Sequence, residues 1–353
     1  MRIMEVITLS ELGGAQSVVA NLSNELSLED ELIVVAGKKD GKLWNILSPS
    51  ITMVGLKHLV RRISPFHDFL AFLSLVRLYW KYKPDVVHLH SSKAGLLGRL
   101  AFPSNKTVYT VHGFDSIRVA YRKLLPFEKG MQHFCRSIVA VSQYDYLHLQ
   151  EESIKKNLEM IHNGIPEPLK GKEVKLDIPS KFEKTVLCIA RIAKPKRLDI
   201  FLETAKLLPQ YAFVWIGNLE DCPSTAENVF FLGNIPHASK YCMAADLFML
   251  PSNFEGLPMV IIEAMSYGKP VVASHVGGIQ EIVRNGHNGY TVNNTPQAFA
   301  EKIKAILSNP HLAKTYGNRS FQIYKEELTA REMTQKYKNI YTKIYNTTHK
   351  TAL

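Results

Sequence analysis

Short runs of Val, Ile and Leu without polar alternation recur along this chain, separated by stretches with helical periodicity. They include RIMEVI, ELIVVAG, DVVHLH, TVYTVHG and SIVAVS in the first half, and TVLCIAR, YAFVWIG, NVFFLG, LFMLPS and PVVAS in the second. A strand that is apolar on both faces is typical of a parallel sheet covered by helices. The sequence therefore predicts an α/β fold built from doubly wound parallel sheets.

The 353 residues exceed what one hydrophobic core usually supports, which favours two domains. Pro, Gly and charged residues accumulate between about Gly164 and Lys184, and the domain break is predicted there. We predict domains at 1–164 and 165–331. Residues 332–353 are predicted to form a helix that returns to the first domain, because apolar residues recur at helical spacing at Met333, Tyr337, Ile340 and Ile344.

Composition and cysteine usage predict a cytoplasmic globular protein. Hydrophobic residues make up 46% and charged residues 21% of the chain. No CxxC pair occurs, so four reduced and mostly buried thiols are expected at Cys135, Cys188, Cys222 and Cys242. A strand pattern begins at the N-terminus, without a signal peptide. The apolar patch from Phe66 to Trp80 is too short for a bilayer span of about 20 residues.

The formal net charge is +11, and the positive residues form two groups in the first half of the chain. Two basic groups are interleaved with aromatic and aliphatic residues: Lys57, Arg61, Arg62, Arg77, Lys81 and Lys83, and Arg118, Arg122, Lys123, Lys129 and Arg136. This pattern predicts reversible attachment to an anionic membrane surface. Solvated helix faces are the alternative. Nucleic acid is not expected as a partner, because no recognition motif for it is present.

In doubly wound domains ligands bind where strands pass into helices, and four such junctions carry unusual residues. In SELGGAQ, Gly13 and Gly14 precede a helix and allow its free N–H groups to approach an anion, although a tight turn explains them equally well. In TVHGFD, His112 ends a strand and could donate a hydrogen bond to a hydroxyl or carbonyl. A hydrogen-bonded structural histidine is the alternative for His112 and for the nearby His88 and His90.

The third junction, IARIAKPKRLD, ends its strand at Arg191 and continues with Lys194, Lys196 and Arg197. Cations at the carboxyl end of a buried strand suit a diphosphate, with a solvated basic loop as the alternative.

The fourth junction, FEGLPMVIIEAMSYGKPVV, places two carboxylates around a helix predicted over 259–267. Glu255 precedes this helix and Glu263 lies about one turn inside it, so both can reach one elongated ligand. The amides of Met259 and Val260 open the helix and suit an anion. The junction therefore predicts a ligand that carries both an anionic group and hydroxyls.

These motifs, in this order, resemble glycosyltransferase family 4, retaining enzymes of the GT-B fold whose E-x7-E motif corresponds here to Glu255 and Glu263. The resemblance covers nearly the whole chain and includes DVVHLHSSKAGLLGRL, IHNGI, FLGNIPHASKYCMAADLFMLPS and GGIQEIVRNGHNGY. It implies two Rossmann-like domains that face each other across a cleft, the first binding the acceptor and the second the nucleotide-sugar donor. HSSKAGLLGRL and EGLPM look most like bacterial enzymes that build capsule, O-antigen or exopolysaccharide.

The resemblance also implies roles for single residues. His112 and Glu255 act at the donor sugar, the former near its hydroxymethyl group, while Glu263 binds the ribose hydroxyls. Arg191 and Lys196 neutralise the diphosphate. The remaining donor-binding positions are Gly13 and Gly14 at the first junction, Gly233, Asn234 and Ile235 near the base, and Gly256, Leu257, Met259 and Val260.

The predicted function is transfer of a hexosyl or N-acetylhexosaminyl group from a nucleoside diphosphate sugar, taken to be a UDP-sugar, to a saccharide or lipid-linked saccharide. No cofactor and no metal are expected, because the Asp-x-Asp motif of metal-dependent transferases is missing from the sequence. The enzyme is expected on the inner face of the cell membrane. The alternatives are a GT-B epimerase acting on a UDP-N-acetylhexosamine, and a non-catalytic sugar-nucleotide-binding subunit of an assembly complex.

Overall fold

A computed structural model describes residues 1–38, 40–168, 174–219 and 226–350. The chain forms two compact units: unit 1 comprises Met1–Pro166 and the segment that begins at Ala330, and unit 2 comprises Glu167–Thr329. Part of the predicted linker, residues 169–173, lies outside the described residues, as does Cys222. Cys135, Cys188 and Cys242 are buried free thiols, which confirms the prediction for these three.

Unit 1 contains a seven-stranded sheet in the order β3-β2-β1-β4-β5-β6-β7. Its strands are β1 (Arg2–Leu9), β2 (Glu31–Gly37), β3 (Thr52–Leu56), β4 (Val86–His90), β5 (Thr107–Val111), β6 (Ser137–Ala140) and β7 (Leu158–Met160). Every ladder between neighbouring strands is parallel. All five residues of β4 and all five of β5 are buried, as expected for strands covered on both faces.

The first five helices belong to unit 1: α1 (Gly14–Leu26), α2 (Pro65–Tyr82), α3 (Ser92–Ala101), α4 (Leu125–Met131) and α5 (Gln143–Glu151). The sequence fixes both ends of α2. Pro65 opens the helix, where its missing N–H costs nothing. Lys83 closes it in a left-handed conformation and donates its N–H to the Tyr79 carbonyl at 2.8 Å. Pro84 follows and cannot continue the helix.

Unit 2 contains a six-stranded sheet in the order β10-β9-β8-β11-β12-β13, again with parallel ladders only. The strands are β8 (Thr185–Ile189), β9 (Ala212–Ile216), β10 (Val229–Phe231), β11 (Leu247–Leu250), β12 (Val271–Ser274) and β13 (Gly289–Val292). The helices are α6 (Leu198–Leu207), α7 (Met259–Ser266), α8 (Ile279–Ile282), α9 (Pro296–Leu307) and α10 (Pro310–Glu327). Asn309 and Thr295 cap α10 and α9 by accepting backbone N–H bonds.

The last helix, α11 (Ala330–Lys350), packs against α1 within unit 1. It is joined to the end of the first segment by a 2.7 Å hydrogen bond from Ala330 N to Ile165 O. The predicted apolar stripe is buried at all four positions, Met333, Tyr337, Ile340 and Ile344.

The predicted fold class is confirmed in both units. In each sheet the strand order reverses beside the first strand of that unit, between β1 and β4 and between β8 and β11. Such a reversal defines the switch point at which doubly wound sheets bind ligands. Within the described residues, no helix is both long and apolar enough to cross a membrane.

Helix α3 lies unusually close to the sheet of unit 1. A Cβ added to Gly95 would lie 2.4 Å from the Tyr109 ring, and one added to Gly98 would lie 2.4 Å from Cδ2 of Leu89. Both distances are far shorter than van der Waals contact, so the segment GLLG packs against β4 and β5 only because these two positions have no side chain.

We expect Gly98→Ala to lower the free energy of unfolding by about 1–3 kcal/mol, because the added methyl overpacks the core. Gly130 in α4 provides the control, since a Cβ there would have no atom within 4 Å. Gly130→Ala should be neutral or stabilising by up to about 1 kcal/mol. Urea unfolding of both variants measures the difference, and equal losses would contradict the close packing of α3.

Candidate active site

All strands within each unit run parallel, so the loops that follow them gather along one edge of each sheet. In unit 2 this edge carries Arg191 after β8, Gly233 after β10, and Glu255 after β11. These motifs are widely separated in the chain, and the parallel topology brings them to the same edge of the sheet.

The ends of β8, β9 and β10 are fastened to one another through backbone groups. Gly217 follows β9 with a φ of +119°, and a Cβ there would lie 2.5 Å from the Ala190 carbonyl oxygen. Gly217 donates its N–H to the Gly233 carbonyl at 2.8 Å, and the Asn218 side chain accepts from the Gly233 N–H at 2.9 Å. These contacts fix the segment that was predicted to hold the base, Gly233 to Ile235.

Lys196 and Glu255, which were predicted to serve different parts of the ligand, form an ion pair. Glu255 Oε1 also accepts a 2.7 Å hydrogen bond from the hydroxyl of Ser252, which is fully buried. A backbone bridge between Lys196 and Ser252 fastens the loop after β8 to the end of β11. Lys196 and Glu255 are only 22% and 13% exposed, so the pair is largely shielded from solvent.

A second tier of polar groups holds Ser252 in place. Its N–H donates to Ser274 Oγ at 2.7 Å, and its carbonyl accepts from Asn294 Nδ2 at 2.7 Å. Ser274 in turn donates to Asn294 Oδ1 at 2.5 Å. The ends of β11, β12 and β13 are thus joined beneath the Lys196–Glu255 pair.

Gly277 supports the loop that carries Glu255. It has a φ of +55°, and a Cβ there would lie 1.8 Å from the Glu255 carbonyl oxygen. The next residue, Gly278, donates its N–H to the Gly256 carbonyl at 2.8 Å. Only glycine fits this position, both for its backbone conformation and for its space.

Helix α7 begins directly after this loop, with Pro258 as its N-cap residue and no side chain capping its first amides. Leu257 and Met259 are buried, which anchors the helix start in the core. The N–H groups of Met259 and Val260 therefore lie at a positive helix end without an acidic residue in the first turn, an arrangement that suits an anion.

Glu263 lies one turn inside α7, between the buried residues Ile262 and Ala264. Within the described part of the chain its carboxylate has neither a hydrogen bond nor an ion pair. Burial in these apolar surroundings raises the pKa of Glu263 from its usual 4.5 to about 7. Glu263 itself is half-buried. An unpaired carboxylate that has lost much of its hydration costs stability, and a ligand that donates hydroxyl groups would remove this cost.

Arg191 is the second residue after β8, and the buried Ala190 separates it from the strand. Its side chain is exposed, and among the described residues it forms no hydrogen bond or ion pair. Asn234, in the loop that follows β10, is likewise exposed.

In unit 1, Gly13 and Gly14 open helix α1. Gly13 is the extended N-cap residue, without a side-chain capping bond, and Gly14 is the first helical residue. The first turn carries no acidic residue, which suits an anion. Roles for Gly13 and Gly14 stay predictions.

His112 follows β5 and precedes Gly113, whose φ of +108° turns the chain away. The buried Asp145 accepts the N–H of Phe114 at 2.8 Å and fixes this turn. His112 Nε2 lies 2.8 Å from His90 Nδ1. Burial, followed by the influence of His90 and His88, lowers the pKa of His112 well below its usual 6.5. The ring is therefore neutral at physiological pH.

Sequence reasoning singled out Glu255, Lys196 and Glu263 but missed the residues that position them. Ser252, Ser274 and Asn294 are ordinary polar residues, and their shared network appears only when three strand ends are aligned. Gly277 had a usable signal, because the paired glycines of GGIQE directly follow a buried strand.

Curated relatives of similar length are bacterial sugar transferases. A UDP-Gal:alpha-D-GlcNAc-diphosphoundecaprenol alpha-1,3-galactosyltransferase of Escherichia coli is 29% identical over 331 residues, covering 83% of this chain and 84% of that protein. The E. coli O-antigen biosynthesis glycosyltransferase WbnH is 28% identical and covers 86% of this chain and 89% of its own. The Staphylococcus aureus capsular polysaccharide biosynthesis glycosyltransferase CapM is 24% identical, with coverage of 80% and 82%.

Solved structures show the same fold. Sucrose-phosphate synthase from Thermosynechococcus elongatus matches with a TM-score of 0.83 at 20% identity, covering 98% of this chain and 99% of that one. Anabaena Alr3699/HepE, solved in complex with UDP, matches with a TM-score of 0.79 at 19% identity, with coverage of 97% and 100%.

Two parallel, doubly wound units with charged residues along the strand ends place the protein in the GT-B class of folds. The family described as Glycosyltransferase Family 4 matches residues 12–167, and the one described as Glycosyl transferases group 1 matches residues 183–309. The chain thus carries a Glycosyltransferase Family 4 domain followed by a Glycosyl transferases group 1 domain, as the E-x7-E motif and its companions predicted.

Glu263→Gln should stabilise the ligand-free protein by about 1–3 kcal/mol at pH 8. The pKa of Glu263 is raised on folding, so ionisation penalises the folded state, and the penalty grows from about pH 4.5 to about pH 7. The gain in stability of Glu263→Gln should accordingly disappear near pH 4.5, where the wild-type carboxyl is largely protonated in the folded and the unfolded state. Urea unfolding at the two pH values measures it.

The matched control is Glu255→Gln, which removes a carboxylate that is paired with Lys196 and Ser252. This variant should not gain stability at pH 8. If both variants gain the same stability at pH 8, the apolar surroundings and missing partners of Glu263 are not the cause of the gain.

Proposed function

We propose that this protein is a retaining glycosyltransferase that moves a hexosyl or N-acetylhexosaminyl group from a UDP-sugar to a saccharide or lipid-linked saccharide acceptor. The product belongs to capsule, O-antigen or exopolysaccharide synthesis. The observation that carries the proposal is the half-buried and unpaired Glu263 carboxylate, one turn behind the uncapped start of α7 and in the same unit as the Lys196–Glu255 pair. Such a set of groups suits a ligand with an anion flanked by hydroxyl groups.

The names of the relatives support the donor and the acceptor classes. The E. coli galactosyltransferase is named for a UDP-galactose donor and a diphosphoundecaprenol-linked acceptor, and WbnH and CapM for O-antigen and capsule synthesis. HepE was solved with UDP bound.

Each group in unit 2 has a proposed role. Ionised Glu263 accepts hydrogen bonds from the two ribose hydroxyls, and Glu255 accepts from hydroxyls of the sugar. Arg191, Lys196 and the first amides of α7 neutralise the diphosphate. Because breaking the bond to the anomeric carbon leaves negative charge on the departing phosphate, these preorganised positive groups stabilise the transition state more than the ground state.

Retention follows from attack on the face that the diphosphate leaves. A hydroxyl oxygen of the acceptor bonds to the anomeric carbon while the bond between this carbon and the phosphate oxygen breaks. An oxygen of the departing diphosphate takes the proton of the acceptor hydroxyl. This step requires no metal and no protein nucleophile. The epimerase alternative differs in that it consumes the donor without any acceptor.

Donor binding can be measured by ligand-observed NMR with UDP-, GDP- and ADP-sugars. We expect saturation transfer to a UDP-sugar and a loss of affinity of about 10- to 100-fold in Lys196→Ala, which removes a charge-assisted contact to the diphosphate. Lys194→Ala is the matched control, because Lys194 is an exposed cation two residues earlier and should leave affinity unchanged.

Slow hydrolysis of the bound donor then reports the stereochemistry. Release of free sugar in the anomeric form of the donor supports retention, and release of the opposite anomer contradicts it. If no nucleotide sugar binds to folded protein, the transferase proposal fails in favour of a different ligand.

The same proposal includes attachment to an anionic membrane through helix α2. At about 3.6 residues per turn, Phe66, Phe69, Arg77 and Trp80 fall on one side of this helix, here called the α2 face. Phe66, Phe69 and Trp80 are 68%, 60% and 69% exposed. The flanking cations Lys57, Arg61, Arg62, Lys81 and Lys83 are exposed, and in the described part of the chain they form no ion pairs.

The second basic group contributes less to this surface than its charge suggests. Arg118 is paired with Asp115 at 2.7 Å, and Glu152 lies 3.2 Å from Arg122 and 3.4 Å from Lys129. Charges that are already compensated within the protein add little attraction to anionic lipid. The α2 face is therefore the proposed contact, on the inner surface of the cell membrane.

The double variant Phe66→Ala/Trp80→Ala should bind anionic vesicles at least about tenfold more weakly than the wild type, because its aromatic side chains no longer enter the headgroup region. Sedimentation with vesicles of anionic and of zwitterionic lipid at low salt measures this. Leu28→Ala is the control, since Leu28 is 79% exposed but lies outside the α2 face. Failure of the wild-type protein to sediment with anionic vesicles refutes the attachment.

A further inference from the structure

Helices α2, α3 and α4 form one layer on a single face of the sheet of unit 1. They lie in the connections from β3 to β4, from β4 to β5 and from β5 to β6, which all step in the same direction across the sheet. Right-handed crossovers that step in one direction place their helices on one face. The connection from β1 to β2 steps the opposite way, so α1 lies on the other face, together with α11. Because α3 contacts both α2 and α4, the outer side of the layer is one continuous surface.

The inner side of this layer is ordinary hydrophobic core. One cluster of buried residues joins all three helices to the sheet and includes Ala71, Leu75, Leu97 and Leu125. A helix that buries one side in this way normally presents polar residues on the other side. Polar residues are therefore expected on the outer side of the layer.

The outer side of α3, and of the chain between β5 and α4, is apolar instead. The exposed residues of α3 recur at every turn, at Ser92, Leu96 and Leu100, and the other residues of this helix are buried or half-buried. Tyr121 and Phe127 are 66% and 67% exposed. We give the name α3–α4 surface to the exposed large side chains Leu96, Leu100, Val119, Tyr121, Leu124 and Phe127. An apolar surface of this kind marks a contact with another molecule or with a membrane.

A buried ion pair fixes the α3–α4 surface from behind. Arg99 of α3 is fully buried, and its Nη2 donates to both carboxylate oxygens of Glu128 in α4, at 2.7 and 2.9 Å. The Arg99 guanidinium also lies over the Tyr109 ring, 4.3 Å from its centroid. Because the Glu128 side chain is held inside the protein, the neighbouring Phe127 is held on the outer side.

The charges beside the α3–α4 surface are compensated, whereas those beside the α2 face are not. Arg118, Arg122 and Lys129 are paired with Asp115 or Glu152. The cations that flank the α2 face form no ion pairs within the described residues. The α2 face can therefore attract anionic headgroups, while the α3–α4 surface offers mainly apolar area.

We propose that the α3–α4 surface enters the hydrocarbon region of a bilayer when the α2 face holds the protein at anionic headgroups. This inference deepens the membrane attachment of the proposed function and rests on it. Both surfaces belong to the same helix layer, so a membrane that contacts one of them lies against the other. The whole layer, and not α2 alone, is then the side of unit 1 that contacts the membrane.

A second copy of the chain is the competing occupant of the α3–α4 surface. Two copies packed face to face would place the same surface of each against the other and bring the unpaired cations beside both α2 faces together. Like charges oppose such a pairing. An anionic bilayer instead offers opposite charge to the α2 face and hydrocarbon to the α3–α4 surface, so the charge pattern favours the bilayer.

Salt separates the two contributions when binding to vesicles of phosphatidylglycerol and phosphatidylcholine is measured by sedimentation. At about 1 M salt the Debye length falls to about 3 Å, which screens the attraction to the α2 face. We expect the wild type to retain binding there, and Tyr121→Ala/Phe127→Ala to bind at least about tenfold more weakly. Phe321→Ala removes an exposed ring of unit 2 and is the matched control, which should bind like the wild type. Equal binding of the wild type and the double variant overturns the proposal.

Quenching of fluorescence by lipids that are brominated in their acyl chains measures the depth directly. Phe127→Trp supplies the reporter in a Trp80→Phe background, because Trp80 is itself exposed on the α2 face. Trp80→Phe alone is the blank for the remaining Trp44 and Trp215. We expect the brominated lipid to quench the new indole and its emission to shift to shorter wavelength on binding. A reporter that stays unquenched while the protein sediments with the vesicles overturns the proposal.

The possible failures can be told apart. If the wild type does not bind anionic vesicles even at low salt, the membrane attachment of the proposed function fails and this inference fails with it. If it binds at low salt with an unquenched reporter, only the insertion is wrong. If the wild type is a dimer and Tyr121→Ala/Phe127→Ala a monomer of unchanged circular dichroism, the surface is an interface between two copies and the proposal is overturned. Donor binding is measured without vesicles, so none of these results decides the transferase proposal.

Discussion

The parallel direction of every strand pair is the constraint on which the rest of this protein depends. A parallel strand needs a crossover connection, so each strand of a unit ends at the same edge and passes into a loop there. Residues as far apart in sequence as Lys196 and Glu255 meet because β8 and β11 are neighbours that end together. The same rule brings His90, the last residue of β4, into contact with His112, which follows β5.

Periodicity and turn residues were sufficient to predict the fold and the positions of the candidate ligand groups. The run TVLCIAR predicted a buried strand that ends at Arg191, and the strand is present but already ends at Ile189. FEGLPMVIIEAM predicted a helix that begins at Met259, as the structure has it. Both predictions use only local patterns: two-sided burial for the strand, and a proline followed by an apolar run for the helix.

Pairing between distant side chains could not be predicted in this way. Glu5 reads in sequence as one polar residue in an apolar strand, and its contact with His90 spans 85 residues. Such a contact depends on strand order and register, which no local pattern contains. The charge of Arg122 was misleading for the same reason, because the Glu152 that compensates it lies 30 residues away.

The buried Glu5 and the half-buried Glu263 show that carboxylates with little hydration can have opposite roles. Donors contributed by His88, His90 and Tyr341 surround Glu5, so its charge is stabilised inside the protein and its pKa falls to about 2. Glu263 has no such donors among the described residues, and burial raises its pKa to about 7. A carboxylate whose hydrogen bonds are already made within the protein gains no stability from a ligand. Its charge influences the side chains around it instead. A carboxylate that the fold leaves without donors can replace its lost hydrogen bonds to water only with hydrogen bonds from a ligand. The stability that the free protein loses at this position is then recovered on binding and contributes to the affinity for the ligand.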